Sequence, residues 1–521
     1  MRLLLRYLMR SLSTVLAASA AAFALAGGPA SANLSPDFFR HVDPLPIHHG
    51  PYTRLSPAQL RLARQYWTPV KQAAPFGSNG ASTALLMTDG TVMIQATEAG
   101  QWYRLTPDKT GSYVNGTWSQ APSLPSGYTP LYYSSAVLPD GRLIVNGGEY
   151  NGGSNPVETS LGAIYNPYTN VWKAVSAPSG WSEIGDAGDV VLADGTLLLA
   201  ECAYSYNEAL LDAKTLTWKA TGSGKADPNG EEGLTLLPSG NVLTVDVLNN
   251  TPKQSELYDF TTGKWHLAAN TQVVLPAYTE MGPQVLRPDG TVFASGASGN
   301  TAVYNYTTNT WKAGPAYPKV SGQQLDIADG PASLLPDGNV LSVASPGAYN
   351  SPSYFFEFDG TKLVQVPGTP NAPNDSSFFF RTVILPTGQI LVTDGSNDVE
   401  IYTHTGTPQA GWAPTIGKVA TSLTRGKTYP LSGVLLNGLS QGSAYGDDAQ
   451  AASNYPLVRI TNATTHHVFY ARTHNHSSMA VASPATVSTM FDLPKGMEAG
   501  ASSLVVVANG IPSAPVSVTV K

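Results

Sequence analysis

Cysteine is nearly absent from this chain: Cys202 is the only one in 521 residues. One cysteine cannot form an internal disulfide, so stability must come from the core. Charge is also sparse. Asp, Glu, Lys and Arg make up 12% of the residues, and the formal net charge is −7. That balance excludes the basic patch a nucleic-acid partner requires. Beyond the N-terminus no stretch is long and apolar enough to span a bilayer. A serine nucleophile elbow, a phosphate-binding loop and a dinucleotide fingerprint are missing too. Glycine and proline are abundant instead, at 50 and 40 residues. This is the profile of many short strands joined by turns. Cys202 ends the apolar run Leu197-Leu198-Leu199-Ala200-Glu201 and reads as a small buried hydrophobe.

The N-terminus carries an export signature. Arg2, Arg6 and Arg10 precede an apolar stretch from Val15 to Leu25, and Ala30-Ser31-Ala32 offers small residues at cleavage positions. Residues 1–32 are therefore expected to be a signal peptide, and the mature protein to be secreted or periplasmic with no membrane span. Residues 33–75 form an extension before the first repeat. Within it Pro57 to Trp67 is expected to be a short helix, capped by Ser56. His41, His48 and His49 of this extension are read as solvated.

A turn glycine recurs about every fifty residues, at Gly90, Gly141, Gly195, Gly240, Gly290, Gly338 and Gly388. Five of the seven follow Asp, a dipeptide suited to tight hairpins. Apolar runs flank each turn. An aromatic residue then precedes Trp by seven positions, as in Tyr165 and Trp172, Tyr258 and Trp265, and Tyr304 and Trp311, with Leu211–Trp218 and Phe356–Leu363 as degenerate copies. Units of four short strands cannot bury their faces alone, but arranged radially they share a core. The expected fold is all-β: a seven-bladed kelch-like β-propeller over 76–414, then an immunoglobulin-like β-sandwich over 415–521, where the glycine period stops and strand alternation continues.

This combination resembles galactose oxidase and glyoxal oxidase, the copper-radical oxidases. The sharpest local match is Leu131-Tyr132-Tyr133-Ser134-Ser135-Ala136 leading to Asp140-Gly141 and then Gly147-Gly148-Glu149-Tyr150. The resemblance implies that Tyr132 stands at the radical tyrosine's place and Tyr150 at that of a stacking tryptophan. It likewise implies that Thr473-His474 matches the family's Thr-His, whose histidine binds copper at the propeller mouth. The remaining positions depart from the family. Ala81 stands where it has the thioether cysteine, and Phe378-Phe379 where it has a Tyr-His pair. Phenylalanine offers copper no lone pair, so copper-radical activity is not expected.

The repeat register gives a second view of the site. The residue nine positions before each turn glycine should open the innermost strand and face the central channel. Those residues are Ala81, Tyr132, Asp186, Glu231, Met281, Asp329 and Phe379. Three are carboxylates, with Asp189, Glu232, Glu280 and Asp326 nearby. The expectation is an acidic funnel rimmed by Tyr132, Tyr133, Tyr150, Phe378 and Phe379, which suits carbohydrate: aromatic faces pack on sugar C–H groups and carboxylates accept hydroxyl protons. Asp186, Glu231 and Asp329, with Tyr132, are also the candidates for acid/base chemistry. Grouped carboxylates are calcium ligands as well. In the last domain His474 and His476, two apart on one strand face, could hold a metal with Asp447 or Asp448. Three functions remain open: a carbohydrate-binding protein, a carbohydrate-active enzyme (hydrolase, lyase or oxidase with an altered metal site), and a scaffold for a protein partner.

Overall fold

The structure, a computed structural model, describes residues 53–521 apart from 154, 203, 204, 249–252, 348, 447 and 449. The signal peptide, His41, His48, His49 and Asp447 lie outside the described residues. Nearly every element is a β-strand. Six antiparallel sheets of four strands and a larger sheet of seven stand in a propeller-like arrangement. Their first strands are Ala81–Leu86, Ser134–Val137, Asp189–Val191, Thr235–Leu236, Met281–Leu286, Ala332–Leu334 and Arg381–Ile384. Ala332–Leu334 belongs to the seven-stranded sheet. Arg381–Ile384 lies against Ala81–Leu86, so the end of the series meets its beginning. Among the described residues no helix is long and apolar enough to cross a membrane.

The periodic glycines explain the hairpins. All seven have positive φ, from +75° at Gly90 to +89° at Gly240, a region that side chains with a Cβ rarely adopt. The aromatic pairs are cross-strand neighbours. Tyr165 opposes Trp172, Tyr258 opposes Trp265 and Tyr304 opposes Trp311, with ring centroids 5.3, 5.5 and 5.0 Å apart. They pack between sheets rather than at a ligand. The copy expected as Phe356 with Leu363 is paired differently. Phe358 opposes Leu363 and Phe356 opposes Gln365: the hairpin encloses four residues like the others, and the pair seven apart in it is Glu357 with Val364, one position later than expected.

The expected helix is shorter than its pattern. It covers Pro57–Ala63 with a capping box from Ser56 and Gln59. Trp67 instead starts the strand Trp67–Pro69, which pairs with Glu400–Tyr402 at the outer edge of the last sheet. A strand from the expected extension thus completes a sheet whose other three come from the end of the repeat region. Trp67 is fully buried there, its ring 4.8 Å from Tyr402 and 4.9 Å from Phe355.

A charged clasp joins this last sheet to the seven-stranded one. His404 Nε2 stands 2.7 Å from Asp337, its Nδ1 stands 3.0 Å from Glu357, and Tyr402 donates to Glu357 at 2.5 Å. Burial works against the imidazolium, but the hydrogen bonds and charges of both carboxylates outweigh it and raise His404 to about 9. The folded state therefore holds a proton that the unfolded chain releases near pH 6.5. This stability is fully present below pH 6.5 and is lost as pH rises through about 9. The wild type should lose about 2 kcal/mol more than His404→Gln between pH 6.5 and 9.5, a range of urea melts that checks the sign directly.

Residues from 415 onward form one curled sheet of nine strands around Leu431, Val458, Ile460, Phe491 and Val506. This region lies against the turn ends of the ring. Tyr470 packs on Gly90, Tyr455 donates to the Leu86 carbonyl, and the Met479 amide donates to Ala193 at 3.0 Å. From it one loop enters the ring. Gln441 accepts from the Leu236 amide at 2.7 Å, and the strand Ser443–Ala444 pairs with Ala332–Leu334. The chain then returns, with the Ser453 amide bonded to Gln441 O at 2.9 Å. A Cβ on Gly233 would strike the Gly446 carbonyl of this loop. Gly233→Ala should therefore dislodge it at a cost of about 1–3 kcal/mol, seen as a lowered midpoint and as new protease sensitivity between 441 and 453.

Between the third and fourth sheets one ammonium is buried among carboxylates. Lys225 donates to Glu232 at 2.7 Å, lies 3.6 Å from Glu256, and stands 5.3 Å above the Trp265 ring. Trp265 in turn donates to Glu208 at 2.7 Å. Burial raises Glu208 to about 7 despite Lys225 and the Trp265 bond, and raises Glu232 strongly.

Candidate functional site at the propeller mouth

The approach to the first strands lines one end of the ring: Ala81 and Met281 open their strands as expected, whereas Tyr132, Asp186, Glu231, Asp329 and Phe379 stand two to four residues before theirs. Three of them have left-handed backbones: Tyr132 at φ +50°, Glu231 at +57° and Asp329 at +56°. Such conformations cost a residue with a Cβ about 1 kcal/mol or more, and they re-aim a side chain that regular pleating would send elsewhere. Tyr132 stays half-buried at the mouth, while Tyr133 turns fully into the core and donates to Gln95 at 2.5 Å. Tyr133 was expected at the rim; the left-handed turn at Tyr132 sends it between the first two sheets instead.

The mouth is aromatic. Tyr150, on a short strand paired with Pro130–Leu131, meets Tyr132 edge-on with centroids 6.1 Å apart. Phe378 and Phe379 sit on the 3₁₀ turn Ser377–Phe379, their rings 4.2 Å apart. Tyr349 stands edge-on to Phe378 at 5.3 Å and donates to Glu280. The inserted loop adds Tyr445, whose hydroxyl donates to Phe378 O at 2.8 Å. Tyr132, Tyr349, Phe378, Phe379 and Tyr445 form one cluster. Burial raises the Tyr132 and Tyr150 phenols well above their ordinary value, so both are neutral hydrogen-bonding groups.

One cation anchors this cluster. The Arg381 guanidinium lies 3.7 Å from the Tyr445 ring centroid and 5.6 Å from that of Tyr132. It donates to Phe378 O at 2.6 Å and Phe380 O at 3.0 Å, and Asp448 is 3.9 Å away. Asp448 also accepts the Tyr133 amide at 3.0 Å. Carboxylates surround the cation. Burial and the Asp448 charge raise Asp329 well above the usual carboxylate range, against the opposing pull of Arg381. Burial raises Glu149 likewise, partly offset by Tyr150. Asp189, below the rim, is raised to about 8 by burial, against a 2.9 Å hydrogen bond from Ser134.

The expected acids do meet here. Carboxylate oxygens of Glu231, Glu280 and Asp329 lie within 4.8 Å of one another, and one ligand atom each from Asp186, Cys202 and Glu231 does so too. The first trio offers only oxygen, the donor set of hard divalent cations; Tyr349 already occupies part of Glu280. Gly446 fits against this trio because it has no side chain: a Cβ there would stand 2.8 Å from Asp329 Oδ1 and 3.1 Å from Met281 O.

The histidines are elsewhere. The Thr473 amide donates to Thr88 O at 3.2 Å and that of His476 to Pro139 O at 3.0 Å, both at the turn ends of the sheets. The whole first strand of the second sheet separates this end from Tyr132. The ring edge of His474 faces Tyr168 at 5.7 Å, and Nε2 stands 3.3 Å from Asp492. His476 is buried, stacks on Tyr455, and is lowered to about 3 by burial and His474. The shared strand face expected for His474 and His476 is broken by Asn475, at φ +54°. They do not converge with Asp448, the described neighbour of Asp447. Among the described residues no histidine lines the mouth, and the fixed charge of Arg381 beside Tyr132 opposes a second cation there. The residues present therefore do not fit copper.

Arg381, Tyr349 and Tyr445 complete the site without having been read as parts of it. Arg381 directly follows the Phe378-Phe379-Phe380 run, and one uncompensated charge opening an otherwise apolar innermost strand was the signal available. Tyr349 lies in a loop with no repeat register and carried none.

The fold and mouth define a β-propeller with an aromatic, acid-rich opening. No family model matches the chain, and no curated protein matches it. Among solved structures it is similar to a fungal alcohol oxidase of the AA5 family in complex with copper, at 13% identity over 85% of each chain and a TM-score of 0.40. It is also similar to the extracellular domain of a one-component system from B. thetaiotaomicron, at 10% identity over 88% of this chain and 59% of that chain, with a TM-score of 0.44.

Proposed function

We propose that this is a secreted or periplasmic carbohydrate-binding protein that takes a neutral sugar at the propeller mouth, without copper-radical chemistry. In this reading the ring is a seven-bladed kelch-like propeller over 76–414, with Ala332–Leu334, Val340–Pro346, Tyr354–Phe358 and Leu363–Val366 as its sixth blade. The curled C-terminal sheet is an immunoglobulin-like domain over 415–521. The observation that carries the function is the convergence of aromatic rings, with Tyr132 and Phe379 half-buried and Tyr150 buried beside them, and carboxylates at the mouth. Tyr132, Tyr150 and Phe379 would give faces for sugar C–H groups, and Asp186, Glu231 and Asp329 acceptors for hydroxyls. A glycan array followed by isothermal titration is the test. Phe379→Ala should weaken a bound sugar about five- to tenfold, the worth of one aromatic face. The absence of any glycan binding, or binding indifferent to Phe379→Ala and Asp186→Asn together, would overturn the proposal.

A second reading, glycoside hydrolysis, is favoured by one specific feature. Asp329, held protonated, has a carboxylate oxygen within 4.8 Å of one from Glu231. Such a pair could serve as acid and nucleophile. Reducing ends released from a polysaccharide panel by the wild type, and not by Asp329→Asn, would establish it.

A further inference from the structure

We propose that Asp186, Cys202 and Glu231 form a binding site for one borderline-soft divalent ion of the zinc class, at the edge of the mouth, where it shares Asp186 and Glu231 with the acid-rich surface proposed to take a sugar. The three side chains come from two adjacent sheets and need no large movement to share an ion. Their ligand atoms lie within 4.8 Å of one another. Around tetrahedral zinc, sulfur and oxygen ligands stand about 3.4–3.6 Å apart, so the trio has to close by about an ångström. A thiolate with two carboxylates is a mixed donor set that separates zinc from calcium, which takes oxygen alone.

Backbone hydrogen bonds hold the frame. The Cys202 amide donates to Ile184 O at 2.9 Å, tying its loop beside Asp186. The Asn229 amide donates to Ser205 O at 2.6 Å, tying that loop to the approach to Glu231. A second, independent observation points to an ion. The recess lined by Asp186, Cys202 and Glu231 is about 10 Å³, the room one water-sized particle needs, and Glu232 lines it as well. Glu232 is only 5% exposed; its Oε2 accepts Lys225 and Thr244, and its Oε1, which no donor reaches, is met by the carboxyl of Asp227. A divalent cation in the recess would neutralise a crowd of acids that Lys225 alone does not balance.

Binding would replace the thiol proton of Cys202 with the metal and release that proton to solvent, so affinity should rise with pH. The test uses the full mature chain, loaded with Zn²⁺, desalted and analysed for metal. One equivalent is expected in the wild type and in His474→Ala/His476→Ala, with affinity about tenfold or more weaker in Cys202→Ser and Asp186→Asn. Co²⁺ in place of zinc should give a thiolate charge-transfer band that Cys202→Ser abolishes. Should a variant not fold, alkylation of Cys202 in the wild type decides: zinc, but not calcium, should slow it about tenfold or more. A wild type that takes up no zinc, zinc bound equally by Cys202→Ser, zinc lost with the two histidines, or alkylation indifferent to zinc would each overturn the assignment. Because Asp186 and Glu231 serve both readings, Phe379→Ala and Cys202→Ser separate them: the first should weaken sugar and leave zinc binding unchanged, the second should weaken zinc and leave sugar binding unchanged.

Discussion

Lys225→Met should destabilise the protein by about 3–5 kcal/mol at pH 7.5, the cost of leaving buried carboxylates without their countercharge. The methionine keeps the bulk of the side chain, so packing loss is small and the penalty is electrostatic. Glu232 and Glu256 both lose the ammonium that stands 2.7 and 3.6 Å away. The pH dependence identifies the cause. Glu208 is raised to about 7, and Glu232 is raised strongly, so the folded state already binds more protons than the unfolded chain above pH 4.5. Where the folded state binds more protons, stability falls as pH rises. Removing Lys225 raises these carboxyls further. The deficit of the variant should therefore shrink as pH falls from 7.5 toward 5. Urea melts of both proteins at the two pH values would show it, and a pH-independent deficit would rule the mechanism out.

Arg381→Met should be nearly as costly, about 3–5 kcal/mol, and should also abolish ligand binding at the mouth. Arg381 satisfies two backbone carbonyls, Phe378 O and Phe380 O, and stacks on Tyr445. Without it the 3₁₀ turn bearing Phe378 and Phe379 loses its anchor, and Asp448 and Asp329 face each other with no cation between them. Arg381→Lys keeps the charge but not the planar fork. It should recover part of the stability and little of the binding, because an ammonium cannot hold both carbonyls and the Tyr445 face together. Equal binding in the wild type and Arg381→Met, measured where both are folded, would remove Arg381 from the site.

The turn glycines were legible because a tight hairpin at fixed spacing requires positive φ, and that requirement is local. The aromatic–Trp pairs were legible for the same reason: seven residues span one hairpin. The Phe356 copy went astray by one position, because Glu357 and Val364 stand where the other hairpins carry the aromatic and Trp. Tyr132, Asp186, Glu231, Asp329 and Phe379 were found by register, since each stands two to four residues before a first strand. Tyr133 was misplaced because the left-handed Tyr132 resets which neighbour faces the mouth. His474 was placed by resemblance, and the structure puts it at the turn ends, because the loop entering the ring is 441–453 and carries Tyr445 and Asp448.

The sequence by itself determined the all-β repeat, its turns and the residues at or just before each first strand, since period and backbone chirality act over a few residues. Only the tertiary structure decided what fills the mouth. Arg381 lies under Tyr132 and Tyr445, Glu280 joins Glu231 and Asp329, and Cys202 stands with Asp186 and Glu231 rather than in the core. These groups are brought together by ring closure and by one loop from the C-terminal sheet, contacts between residues tens to hundreds of positions apart that no local pattern encodes.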